Sequence, residues 1–121
     1  MNPSDKIKGG AEAEYRALEY LRQKGYRILD RNVNYPKVGE IDLVAKTGDT
    51  LVFVEVRYRA TKDFGDPIES VTNSKVKKLL RAAERYLAAL PVKFESVRFD
   101  LIAVDDCGID HVEDAFYGYW H

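Results

Sequence analysis

The sequence predicts an α/β domain with a mixed central β-sheet flanked by helices, its elements in the order α-β-β-β-α-β with a short further strand at the end. Three observations carry this. Two segments with apolar residues at helical spacing bracket three consecutive strand-like runs. The last two of those runs are separated only by Thr47-Gly48-Asp49, which suits a tight hairpin. The second helical segment is long enough to carry the chain across a sheet to a parallel neighbour.

In chain order, Ala11, Leu18 and Leu21 mark a helix over 11–24, with Arg16, Glu19 and Arg22 turned away and Gly25 as its stop. Residues 26–34 (YRILDRNVN) read as a strand, and 39–46 (GEIDLVAK) and 50–59 (TLVFVEVRYR) as the two arms of the hairpin. Gly65 and Asp66-Pro67 make 60–68 an irregular loop. Val76, Leu79, Leu80, Ala83, Leu87 and Leu90 form the stripe of a second helix, with Thr72 or Asn73 as N-cap and Pro91 as stop. Residues 96–105 (SVRFDLIAVD) give another strand, and 111–116 a short terminal one.

At 121 residues, 45% hydrophobic and 32% charged, the chain is expected to be one globular domain over 1–121, with residues 1–9 flexible. A single cysteine, Cys107, excludes an internal disulfide framework, and with only His111 and His121 beside it no ordinary structural zinc site can be built. There is no signal-like apolar segment near the N-terminus and no run of apolar residues long enough to span a bilayer, so the expected location is cytoplasmic. The net charge of −1 offers no global attraction to nucleic acid, and charge placement has to supply it.

The hairpin concentrates the chemistry. With Gly48-Asp49 as a two-residue turn, Asp42 faces Glu55 and Glu40 faces Arg57. Strand alternation puts these four on one face, continued toward the turn by Val44 and Phe53. Ile41, Leu43, Ala45, Val52, Val54, Val56 and Tyr58 form the opposite, core-facing surface. Directly opposite residues have Cβ atoms about 5 Å apart, where like charges repel unless something positive lies between them, and hard oxygen ligands of this kind suit Mg²⁺ or Mn²⁺. The plain alternative is an acidic face open to solvent and balanced by Arg57 and Arg59. The apolar neighbours Val44 and Phe53 argue instead for partial burial, where unpaired carboxylates are costly. Glu14 shares the apolar stripe of the first helix at i, i+4, i+7 with Leu18 and Leu21, either as a third acid over the sheet or as a first-turn glutamate favoured by the helix dipole.

Lys77, Lys78, Arg81 and Arg85 lie opposite the apolar stripe of the second helix, where a solvated face explains them as well as phosphate binding does. Arg59, Lys62 and Lys75 are the stronger candidates for nucleic-acid binding, because they flank the acidic pair. Tyr58 is expected in the core; Phe64 has no assigned role.

Asp42, followed by Glu55-Val56-Arg57, resembles the D-x(n)-E-x-K signature of PD-(D/E)xK nucleases. Its company narrows the match: Gly10 with Glu14 and Ala17, the GEIDLVA and VFVEVRYR strings, Phe64-Gly65-Asp66-Pro67, Lys75, and Arg98-Phe99-Asp100. Together these resemble the YraN-type bacterial family, similar in fold to archaeal Holliday-junction resolvases, from about Gly10 to Phe116. The resemblance implies a restriction-endonuclease-like core and metal-dependent hydrolysis of phosphodiester bonds in structured or branched DNA. It makes Asp42, Glu55 and the Val56 main-chain carbonyl ligands of Mg or Mn, and Glu14 the acid of the first helix. A homodimer would suit a symmetric junction. Arg57 stands where the superfamily has lysine, and being always charged it can stabilise an anion but not accept a proton. That departure leaves open a second function, binding nucleic acid with weak or lost catalysis.

Overall fold

The computed structural model describes residues 3–59 and 65–116, with side chains from Gly10 onward. Its elements are α1 (Pro3–Gln23), β1 (Arg27–Tyr35), β2 (Gly39–Thr47), β3 (Thr50–Tyr58), a 3-10 turn at Pro67–Ser70, α2 (Asn73–Ala89), β4 (Ser96–Asp105) and β5 (Gly108–Val112). The order agrees with the sequence reading. Two boundaries differ: α1 begins ahead of Ala11, and the last strand precedes the expected 111–116 because Asp105 turns the chain at once, its carboxylate accepting from the Cys107 and Gly108 amides at 2.8 and 2.9 Å.

The five strands lie in the order β1-β2-β3-β4-β5. All neighbours are antiparallel except β3 and β4, which run parallel and are joined through α2. α2 is built for this crossover. Thr72 caps it, its hydroxyl accepting from the Lys75 amide at 3.2 Å, and Leu90 and Pro91 end it. The chain then lands beside the hairpin turn, where the Asp49 carbonyl accepts from the Glu95 amide at 3.1 Å and the Thr50 and Ser96 hydroxyls meet at 2.7 Å.

Both faces of the sheet are buried. Ala13, Ala17, Leu18 and Leu21 of α1 pack on Leu43, Ala45, Val52, Val54, Ile102 and Val104, while α2 places Val76, Leu79, Ala82 and Ala83 against Val44, Leu51, Phe53, Phe99 and Leu101. The α1 stripe therefore runs through Ala13 and Ala17, and Ala11 is exposed. Ile41 packs with the α2 side, although strict alternation groups it with Leu43. Tyr58 is 42% exposed, because alternation carries it past the end of α1's cover and its hydroxyl reaches Asp106.

A second polar cluster sits under the C-terminal half of α1. Asp100, fully buried, receives Arg98 Nε at 2.8 Å, Arg98 Nη2 at 2.9 Å, His111 Nε2 at 2.7 Å and the Asp114 amide at 3.0 Å. Arg98 also donates to the Tyr26 hydroxyl at 2.8 Å, and the Tyr20 hydroxyl meets His111 Nδ1 at 3.1 Å. With Nε2–H directed at the carboxylate, Nδ1 is left to accept from Tyr20.

Candidate metal centre

The hairpin keeps the register expected from its turn. Thr47 pairs with Thr50, Val44 with Phe53 and Leu43 with Val54, which sets Asp42 level with Glu55. The ladder stops at Leu43–Val54, and the next available amide, that of Val56, donates to Asp42 Oδ2 at 2.8 Å. β2 meanwhile continues to pair with β1 through Val33–Ile41 and Asn34–Glu40. Asp42 is thus held by main chain on both sides and its carboxylate is fixed by a backbone donor.

Glu55 is the unusual group. It is 2% exposed, and its Oε2 is buried with no hydrogen-bond partner. The Lys75 ammonium is 3.7 Å from Oε1 and 3.9 Å from Glu40 Oε1, an ion pair too long for a strong hydrogen bond. Burial, then the Asp42 charge, pushes Glu55 up to about 8 against the pull of Lys75 and Arg57, and a hydrogen bond between the two carboxyl groups adds to the rise. Asp42 is also raised by burial, despite the Val56 amide and Lys75. At neutral pH Glu55 therefore holds a proton in the position where a cation would relieve the same repulsion.

Glu14 is half-buried on α1, and burial followed by Asp42 and Glu40 raises its carboxyl, so it lies in the field of the acidic pair. It lines a cavity of 180 Å³ on the α1 side with Arg31, Asn32 and Leu43. Among the described residues no three His, Cys, Asp or Glu side chains converge closely enough to hold an ion by themselves. Two carboxylates from the protein, with water completing the shell, fit Mg²⁺ or Mn²⁺ and not a fully protein-lined site. The unpartnered Glu55 oxygen is the observation that favours this fit.

The cations divide. Lys75 reaches the pair from the first turn of α2. Arg57 acts on Glu55, its Nε is buried without a hydrogen-bond partner, and the expected pairing with Glu40 is replaced by the Lys75–Glu40 contact. Arg59 turns away from the site: its guanidinium, 12% exposed, pairs with Asp110 at 3.1 Å and Asp105 at 3.9 Å. Lys62 and Phe64 lie outside the described residues. Reasoning from the sequence missed the Arg98–Asp100–His111 cluster. Its signal was present in 96–105, where alternation puts Arg98 and Asp100 on the same face as Ile102 and Val104, two opposite charges on an apolar strand face.

The comparisons agree with this architecture at the level of family. The model of the family described as "Uncharacterised protein family UPF0102" matches residues 13–104. A UPF0102 protein of Shewanella loihica is 40% identical over 116 residues, covering 96% of this chain and all of its own length. One from Persephonella marina is 43% identical over 107 residues, 88% of this chain and 91% of its own. One from Chlorobaculum tepidum is 48% identical over 101 residues, 84% of this chain and 78% of its own. The matched span runs from α1 through nearly all of β4 and includes Glu14, Asp42, Glu55, Arg57 and Lys75, and the chain belongs to the uncharacterised protein family UPF0102.

Proposed function

We propose that this chain is a metal-dependent endonuclease hydrolysing phosphodiester bonds in structured or branched DNA. One observation carries the reading: Asp42 and Glu55 lie level on a hairpin, Glu55 is buried with no donor on its Oε2, and the Lys75 ammonium and Arg57 only partly offset the pair. Elements that serve only the fold satisfy their buried carboxylates. A buried carboxyl that keeps its proton beside a second acid is poised to exchange that proton for a ligand.

Asp42, Glu55 and, by resemblance, the Val56 carbonyl would hold Mg²⁺ or Mn²⁺. The ion supplies a bound water of lowered pKa and Lewis acidity toward the phosphoryl oxygens. The chain's own residues do the rest. The Val56 amide keeps Asp42 in one orientation. Glu55 would have to release its proton to serve as a ligand, and Lys75 and Arg57 would offer positive charge to the phosphate. Arg57 cannot take a proton from water, so the proton of an attacking water would have to go to a carboxylate or to bulk solvent.

Cleavage of a labelled four-way junction and a plain duplex, with Mg²⁺ or Mn²⁺ and with chelator, tests the reaction. Titration calorimetry with Mn²⁺ on the native protein and on Asp42→Ala tests the site. Equal Mn²⁺ binding by both proteins removes Asp42 from it. A second reading, a nucleic-acid-binding protein with weak or lost catalysis, is favoured by Arg57 in the lysine position; junction binding without cleavage by any variant would select it.

A further inference from the structure

Beside the acidic pair, the turn between β1 and β2 stands against the exposed side of α2 and borders two adjoining open depressions. The first, of 370 Å³, is lined among others by Tyr35, Lys37, Val38, Glu40, Lys75 and Lys78. The second, also 370 Å³, is lined by Val38, Arg81, Glu84, Arg85 and Ala88. Val38 belongs to both, so they form one groove that starts at Lys75, next to Glu55, and runs along α2.

Five cations line this groove against two acids, in a chain whose net charge is −1. The basic residues of α2 are therefore more than a solvated helical face: Lys78 shares a depression with Lys37 and Val38, and Arg81 and Arg85 share the next one with Val38. This juxtaposition depends on close approach of the two walls. A Cβ on Gly39 would collide with the Lys78 carbonyl, so only glycine lets the β1–β2 turn sit this near to α2.

We propose that this groove binds a single, unpaired DNA strand leading away from the metal centre, so that the preferred substrate carries a single-stranded arm at the scissile phosphate. The proposal rests on the nuclease reading for what happens at the acidic pair, but the groove stands on its own geometry. From Lys75 to Arg85 the helix rises about 15 Å, enough for two or three extended nucleotides. Each cavity is at the small end of the ~300–1,000 Å³ range of ligand pockets, room for about one nucleotide. Tyr35, Val38 and Leu79 supply apolar and aromatic wall between the cations, which serves sugars and unstacked bases. A duplex presents mainly phosphates at this scale, is too wide to enter, and would leave that wall unused.

Fluorescence anisotropy with labelled oligo-dT, a blunt duplex and a forked duplex, in chelator so that no cleavage occurs, reads the groove separately from catalysis. The expected order is oligo-dT and fork above blunt duplex at equal salt. Arg81→Ala/Arg85→Ala should weaken oligo-dT binding about tenfold and reduce the slope of log K against log salt by about 1.4. Arg22→Ala/Arg27→Ala, the same charge change on α1 and β1, should leave both unchanged. Blunt duplex bound as tightly as oligo-dT, or equal effects of the two double variants, overturns the groove. Selective binding of oligo-dT and fork through Arg81 and Arg85, with no cleavage in Mg²⁺ or Mn²⁺, supports the groove and removes the nuclease reading. Equal cleavage of fork and duplex, indifferent to Arg81 and Arg85, does the reverse.

Discussion

Two carboxylates are fully buried among the described residues, Asp100 and Glu55, and the sheet treats them in opposite ways. Burial alone would raise Asp100, but His111, Arg98 and the Asp114 amide together outweigh it and hold the carboxyl below its ordinary value. Glu55 faces another acid, has one oxygen without a partner, and is pushed up to about 8. The first arrangement completes a fold, and the second leaves a debt that only a proton or a cation settles. The difference separates a satisfied charge from an unsatisfied one within one small sheet.

The largest expected effect is on the satisfied side. Asp100→Ala strands Arg98 and His111 and should lower stability by about 3–5 kcal/mol in urea unfolding. Cleavage per folded molecule should be unchanged. Because the folded Asp100 carboxyl lies below 3.8, its contribution is present above that pH and is lost as pH falls through the folded value. Asp100→Asn should therefore flatten the acid limb of the stability profile. A loss of metal-dependent cleavage with unchanged stability would erase the contrast.

Glu55→Gln should do the converse. Between pH 4.5 and about 8 the folded protein keeps a proton that the unfolded chain has released, so this group makes stability fall as pH rises across that window. Glutamine removes that slope and should raise Tm at pH 9 by several degrees, on the order of 1 kcal/mol or more. Cleavage should fall about a hundredfold or more. Destabilisation at pH 9 would show that Glu55 is a structural carboxylate like Asp100.

Arg57 lies between the two patterns, half-buried in the field of Glu55, with its Nε buried and unpartnered. Acting as a fixed charge on the phosphate, it should tolerate Arg57→Lys and lose about a hundredfold in rate as Arg57→Ala. Unaltered cleavage by Arg57→Ala would confine it to the fold. The smallest effect belongs to Lys75, whose ammonium is 36% exposed. Lys75→Ala should change stability by less than about 1 kcal/mol. It removes a charge that draws both acids down, so the pH at which Mn²⁺ binding releases protons should move upward in calorimetry. No movement would place Lys75 outside the field of the site.

The acidic pair was legible because a two-residue turn fixes register, and register fixes which letters meet. Lys75 was legible because a cap at Thr72 sets where α2 begins, and the first turn faces the strand it crosses from. Arg59 was misplaced because alternation assigns a face but not a partner: Asp105 and Asp110 flank the turn into β5, which pairs with β4 and not with β3. The Asp100 cluster joins α1, the residue before β1, β4 and β5, and no local pattern states that Tyr20, Tyr26 and His111 converge. The groove was hidden for the same reason. Its walls are a turn and a helix far apart in sequence, and Gly39 discloses their closeness only once both are in place.

The connectivity also sets an order of events in folding. The β2–β3 hairpin closes over two turn residues, on the microsecond scale, whereas Thr50 meets Ser96 only after α2 has formed and crossed the sheet. On this order the acids should come face to face on a nascent hairpin still wet enough to screen them, and be dehydrated later, when α2 and β4 dock. The electrostatic barrier falls on the late step. A chain refolding between about pH 4.5 and 8 takes up a proton at Glu55 in that step, and one refolding above it must either acquire a cation or desolvate two charges at once.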